Sequence, residues 1–199
     1  MSSSSNLVRP GGIAATLGGL LFAAKTYWDR NDAPPWSSDF TDALGFVNPL
    51  LFLLGAWGLY TFCRGRLGRL GGTGFLISLA GFALSAVGAV AVQFVDAFWF
   101  VFVLGLLAGL IGLALAGIPI LRAKLLGSWS ILPLVLGVYG LFALMTGDPP
   151  HNAFGHTTGL ILWCLFGLLW VVMGYALVSA REGSPASSRS ANTLWDGAK

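Results

Sequence analysis

Two histidines and two aspartates are the side chains of this chain best suited to hold a metal ion. His151 and His156 are its only histidines, and Asp148 lies three residues before the first of them. Imidazole and carboxylate groups form the mixed nitrogen and oxygen sites that zinc uses, and Asp96 adds a second carboxylate on the same predicted side of the protein. A zinc-bound water becomes a nucleophile near neutral pH. One interpretation of these residues is therefore a metal-dependent hydrolase.

The spacing of the histidines leaves a plainer interpretation open. A separation of five residues with Gly155 in between does not place two imidazoles on one helical face, and it fixes no third ligand. In that interpretation His151 is a hydrated loop residue, and His156 belongs to the start of a helix that Thr157 or Thr158 caps. We therefore predict no metal, no cofactor and no catalytic residue, and keep the two histidines only as candidate metal ligands.

Polar side chains on the same side indicate a ligand site as a second interpretation. Asn48 lies one to two turns into an apolar helix, directly before Pro49, and an amide at that depth needs a partner on another helix or on a ligand. The aspartates also have an ordinary explanation, because Asp42 and Asp96 precede predicted helices and suit their positive ends. The predicted ligand-binding set is Asn48, Gln93, Asp96, Asp148, His151 and His156.

The elements that must position these side chains are long apolar helices. Ala97 to Leu121 is a run of 25 residues without a charged side chain, and 18 or more such residues predict a membrane-spanning helix. Hydrophobic residues make up 56% of the chain, charged residues only 10%, and the mean hydropathy is +0.79. We predict an all-α, polytopic membrane helix bundle. Its six transmembrane helices are Val8–Trp28, Ala43–Cys63, Thr73–Phe94, Phe98–Leu121, Ser128–Gly147 and His156–Val178.

The charges between these spans predict the orientation of the chain. With six crossings, nine of the eleven basic residues fall on the side of both termini, and six of the eight acidic residues fall on the other. The positive-inside rule then places both termini in the cytoplasm. We expect a plasma membrane, the inner membrane of a bacterium, with the lipid bilayer as the main partner. The net charge of +3 reflects this topology, so no nucleic-acid partner is predicted.

Three segments make up the predicted organisation: disordered cytoplasmic tails at 1–7 and 182–199, and a transmembrane domain at 8–181. The first span is expected to be retained, because Phe22 occupies a position where a signal-peptide cut after Ala24 needs a small residue. Arg64, Arg122 and Arg181 end the even-numbered helices at spacings of 58 and 59 residues, which suggests three helical hairpins in series. Hairpins of fixed membrane length produce a similar period without any true repeat.

Small residues recur at four-residue spacing along the first span, at Gly11, Ala15, Gly19 and Ala23. Because lipid supplies no hydrophobic drive between helices, close backbone approach at such residues stabilises helix pairs. The row therefore packs against helices of the same chain or docks a partner subunit. Cys63 and Cys164 lie at different predicted depths, too far apart for a disulfide.

The sequence places no Asp, Glu, Lys, Arg or His at mid-membrane depth. Proton- and cation-driven transporters generally need one there, so the sequence disfavours that class. No phosphate-binding loop of the GxxxxGK[ST] type is present either.

Residues Gly58 to Ala89 resemble a pattern common in small six-helix bacterial integral membrane proteins of unknown function. In that pattern an apolar helix ends in a turn rich in Gly, Leu and Arg, and a helix rich in Gly, Ala and Leu follows. The layout is also similar to the substrate-binding subunits of energy-coupling-factor transporters. That second similarity implies capture of a vitamin or metal near the outer face and docking of a partner on small residues of the first helix.

Three functions remain after these exclusions. A structural or accessory membrane protein without chemistry of its own comes first. A small-ligand binding or transport subunit is the alternative, and it predicts a closed concavity between helices 2, 3 and 6 on the outer side. A membrane-embedded, metal-dependent hydrolase is the second alternative, so we lean against an enzyme.

Overall fold

The chain folds into six α-helices, which the computed structural model describes over residues 5–30, 38–146 and 155–182. Side chains are described within 7–28, 45–146 and 158–180. All six helices, counting the short 3-10 turns before α4 and α5, are long and apolar enough to cross a membrane, and no strand occurs within these ranges. The predicted all-α fold with six such helices is confirmed. The helices are α1 (Ser5–Arg30), α2 (Ser38–Cys63), α3 (Arg69–Ala91), α4 (Trp99–Arg122), α5 (Leu132–Thr146) and α6 (Gly155–Glu182).

The helices form a closed ring in which each packs against the next and α6 packs against α1. Neighbours run antiparallel: Gly11 of α1 meets Gly58 of α2, whereas Gly18 further along α1 meets Phe52. The same holds between α1 and α6, where Gly12 meets Gly174 and Gly19, further along α1, meets Gly167. The start of α1 and the end of α6 therefore lie at the same end of the ring as the turns at 64–68 and 123–131.

Aromatic side chains fill the middle of the ring. The rings of Phe52 on α2 and Trp170 on α6 stack with centroids 4.5 Å apart, and Phe82 on α3 meets Trp170 edge-on at 5.8 Å. Phe166 packs against Phe52 at 5.9 Å in the same T-shaped way. These four side chains are at most 2% exposed, so they hold α2, α3 and α6 together at the centre.

Glycine contacts bring the backbones of α3 and α4 together. A Cβ atom on Gly81 would overlap the backbone of Gly109, and one on Gly112 would overlap that of Ser78. A Cβ on Gly74 would meet the backbone of Ala116. Such close approach maximises dispersion contacts, which drive helix association where the surrounding solvent is as apolar as the side chains.

Large apolar side chains cover the outside of the ring. Leu76 is 66% exposed, Val87 63%, Phe142 53% and Ile161 52%. A water-soluble bundle would present polar residues there, so this surface suits contact with acyl chains.

The ends of several helices differ from the predicted bounds. α5 begins at Leu132 rather than at 128, because Gly127 adopts a positive φ of 58° and Ser130 closes a tight turn. The Ser130 hydroxyl accepts a hydrogen bond from the Leu126 amide at 3.0 Å and donates one to the Gly127 carbonyl at 2.9 Å. α2 begins at Ser38, so Asp42 lies within this helix and does not precede it as predicted.

Candidate ligand site at one end of the ring

The two ends of the ring differ in charge. We call the end that carries the start of α1 and the end of α6 the basic end, and the opposite one the far end. Every described charged side chain at the basic end is positive and exposed. These residues are Arg9, Arg64, Arg66, Arg69, Arg122 and Lys124. At the far end the described charged side chains are Lys25 and Asp96.

A cleft of about 190 Å³ opens at the far end, and we call it the vestibule. Four consecutive helices, α1 to α4, contribute to its wall, so it opens at the mouth of the ring and not in a groove between two helices. Most of the lining is apolar or aromatic, with one ammonium and one amide. The lining residues are Lys25, Gly45, Phe46, Ala89, Val92, Gln93, Trp99 and Phe102.

Asn48 is the most unusual polar residue near the vestibule. It is only 3% exposed, and neither its side-chain oxygen nor its side-chain nitrogen has a hydrogen-bond partner. Gly45 in the vestibule wall lies three residues earlier, on the same face of α2. The amide therefore lies one helical turn below the vestibule. An amide at this depth is expected to have a hydrogen-bond partner, and no other helix supplies one to Asn48.

Gln93 lines the vestibule, whereas Asp96 does not. Asp96 is exposed and opens the 3-10 turn before α4. The capping positions of that turn and of α4 belong to Val95 and Phe98, and neither makes a side-chain cap hydrogen bond. The structure thus gives Asp96 neither the capping bond nor a place in the vestibule wall.

The remaining predicted site residues cannot be placed relative to the vestibule. Asp148 and His151 lie outside the described residues, and His156 belongs to α6 by its backbone, with a side chain outside the described ranges. Within the described part of the chain no three His, Cys, Asp or Glu residues come together as a metal site would require. Cys63 and Cys164 are thiols and form no disulfide with each other.

The predicted closed concavity between helices 2, 3 and 6 on the outer side stays a prediction, because the side chains of residues 38–44 and 155–157, at the outer ends of α2 and α6, lie outside the described ranges. Deeper in the ring, the space between these helices holds the stacked pair of Phe52 and Trp170, with Phe82 against it. The open space lies nearer the mouth of the ring, and α1 and α4 contribute to it where α6 does not. Sequence reasoning missed Lys25 and Trp99 as lining residues, because both also suit the simpler task of anchoring helix ends at a membrane surface.

The row of small residues on α1 packs within the chain. Gly11 meets Gly58, and a Cβ on Gly55 would lie 3.0 Å from that of Ala15, so both contacts join α1 to α2. Gly19 meets Gly167 on α6, and the Cys164 sulfur lies 3.9 Å from the Ala23 carbonyl oxygen. Docking of a partner subunit on this row stays a prediction.

Comparison with protein-family models, with curated proteins and with solved structures finds no match to this chain. The vestibule and the amide below it are therefore interpreted on their own chemistry. An ammonium, two amides and several aromatic faces can bind a solute by hydrogen bonds and stacking.

Proposed function

We propose that the chain is a six-span protein of a plasma membrane, that of a bacterium, with both termini in the cytoplasm. The observation that carries this orientation is the difference between the ends of the ring, since exposed arginines and Lys124 occupy the basic end. Positively charged turns stay on the cytoplasmic side of a membrane. In this orientation the vestibule faces outward, and three in–out–in hairpins follow one another along the chain.

The role we propose first is structural or accessory. The aromatic cluster of Phe52, Phe82, Phe166 and Trp170 fills the centre of the ring, and glycine contacts lock α3 against α4. Such packing supports a rigid membrane element. The vestibule, at about 190 Å³, is smaller than the roughly 300–1,000 Å³ of pockets that hold drug-sized molecules.

Reporter fusions at the carboxyl terminus test the orientation. Green fluorescent protein joined to Lys199 is expected to fluoresce, because it folds in the cytoplasm. Alkaline phosphatase at the same position is expected to be inactive, because it needs the oxidising exterior for its disulfides. An active phosphatase fusion, together with a green fluorescent protein fusion that does not fluoresce, would contradict the proposed topology.

A second candidate role is the binding of a small solute at the vestibule. The buried, unpartnered amide of Asn48 one turn below an open cleft favours it. Saturation-transfer NMR with single-ring solutes, on the full chain in lipid nanodiscs, tests this role. Binding that is lost in Gly45→Leu, which fills the vestibule, supports it. If no solute binds, the binding role is overturned.

A further inference from the structure

We propose that the vestibule and Asn48 together bind a small, planar, uncharged molecule with an amide-like edge, such as an aromatic carboxamide or a lactam. This inference rests on the second candidate role above, and it names the class of ligand. It combines the size of the cleft, the chemistry of its wall and the unsatisfied amide beneath it.

The size of the vestibule limits the ligand to about one ring. A cavity of roughly 150 Å³ in a protein core holds a benzene molecule. The 190 Å³ of the vestibule therefore suit a single ring with one small substituent. A nucleotide, a peptide or a fused polycyclic molecule would extend beyond that space.

The wall of the vestibule favours a flat ring. Trp99, Phe46 and Phe102 supply aromatic surface, and Ala89 and Val92 supply small apolar contacts. Aromatic rings bind one another in offset-stacked or edge-to-face arrangements that contribute beyond simple burial. The polar groups of the wall are Lys25 and Gln93, so the rest of the lining is suited to an apolar body.

The amide of Asn48 determines the polar end of the ligand. Its side chain offers both N–H donors and a carbonyl acceptor, and each of these atoms is unpartnered. A ligand with an N–H next to a carbonyl satisfies donor and acceptor at once, whereas an ether or a hydrocarbon does not. An ion is disfavoured at this position because Asn48 is 97% buried and a charge there would lose its hydration.

The geometry of α2 brings this amide towards the vestibule. Helical side chains lean towards the amino-terminal end of their helix, and α2 begins at the far end. The position one turn above Asn48 on that side is Gly45. A Cβ atom there would meet Lys25 Cε at 3.7 Å, which is an ordinary contact. Gly45 thus contributes no side chain of its own at the position between Asn48 and the vestibule.

The test compares three single-ring probes on the full chain in lipid nanodiscs. Benzamide carries the proposed edge, benzoate replaces it with a charged carboxylate, and toluene lacks polar atoms. Dissociation constants come from saturation-transfer titrations. We expect benzamide to bind most tightly, and Asn48→Leu to weaken it about tenfold or more, because two hydrogen bonds are lost.

Two further variants keep the test independent of folding. Gly45→Leu is expected to abolish benzamide binding by closing the approach without touching the amide. Ser78→Ala removes another buried, unpartnered polar group, on α3 opposite Gly112, and is expected to leave binding unchanged. A melting curve of each variant reports whether it is folded.

The outcomes separate the ligand class from the site. If benzoate or toluene binds as tightly as benzamide, or if Asn48→Leu binds benzamide as well as the wild type does, the proposed class is wrong while a vestibule site stands. If none of the three probes binds, both the class and the binding role are overturned. Tight benzamide binding that requires Asn48 and an open Gly45 supports the inference.

Discussion

Asn48 places an unsatisfied amide in the interior of an apolar ring. A buried polar group without a partner destabilises the folded state by about 1–3 kcal/mol, because it gave up hydrogen bonds to water. Asn48 makes no compensating bond, whereas the equally buried Ser130 makes two. Local features that destabilise the folded state, such as this unpaired amide, concentrate at functional sites. Asn48 is therefore central to the ligand proposal.

Replacing this amide by an apolar side chain of similar shape is expected to stabilise the protein. We predict that Asn48→Leu raises the free energy of unfolding by about 1–3 kcal/mol, since it removes an unpaired group and leaves no new one. Thermal unfolding in detergent micelles, followed by circular dichroism, measures the change as a higher melting temperature.

Ser130→Ala is the matched control for that prediction. Ser130 is 2% exposed, but its hydroxyl bonds to Leu126 and Gly127, so its removal is expected to lower the free energy of unfolding by about 1 kcal/mol. A loss of stability in Asn48→Leu as large as that in Ser130→Ala would mean that the amide has a structural partner.

At the scale of the helices, the pair of α3 and α4 shows how small residues set the architecture. Gly81 and Gly109 face each other so closely that a methyl group on Gly81 would overlap the partner backbone. On the same helix, a Cβ atom on Gly72 would have no neighbouring atom within 4 Å. Gly72 and Gly81 are both glycines within α3. Comparing alanine at these two positions therefore separates the effect of helix packing from that of helix propensity.

Gly81→Ala is expected to lower the free energy of unfolding by about 1–3 kcal/mol, because the helices must move apart to admit the methyl group. Gly72→Ala is expected to leave stability unchanged or to raise it by up to about 1 kcal/mol, because alanine favours the helix. Melting temperatures of both variants in the same detergent check the pair. Equal effects at the two positions would show that α3 and α4 do not meet as described.

The helices themselves were predictable from sequence, and their ends and the vestibule less so. Runs such as Ala97 to Leu121 predict a spanning helix because only a helix satisfies its own backbone groups in lipid. α5 begins later than the sequence predicts. The residues on either side of the turn that Ser130 closes are as apolar as the helix itself, so their composition does not mark where the helix starts. Asn48 and Gln93 stood out as polar residues, but the position of the open space depends on how α6 fills the centre, which no local pattern shows.

At the scale of the whole molecule, the ring is apolar outside and in its interior, and its two ends differ in charge. Arginines in the turn at 64–68 and near the end of α4 mark one end, and the vestibule with Gln93 marks the other. An apolar belt between two chemically distinct ends is what a bilayer with a fixed cytoplasmic side requires. The proposed orientation and the proposed outward-facing ligand site both depend on this arrangement.

Cysteine labelling at the two ends tests this central claim most directly. Val95→Cys at the far end and Arg66→Cys at the basic end are each made in a chain with Cys63→Ala and Cys164→Ala, and intact cells are treated with a membrane-impermeant maleimide. Both positions are exposed, so each can react once the reagent reaches it. We predict that Val95→Cys reacts in intact cells and that Arg66→Cys reacts only after the membrane is permeabilised. Labelling of both positions in intact cells, or the reverse order, would contradict the account.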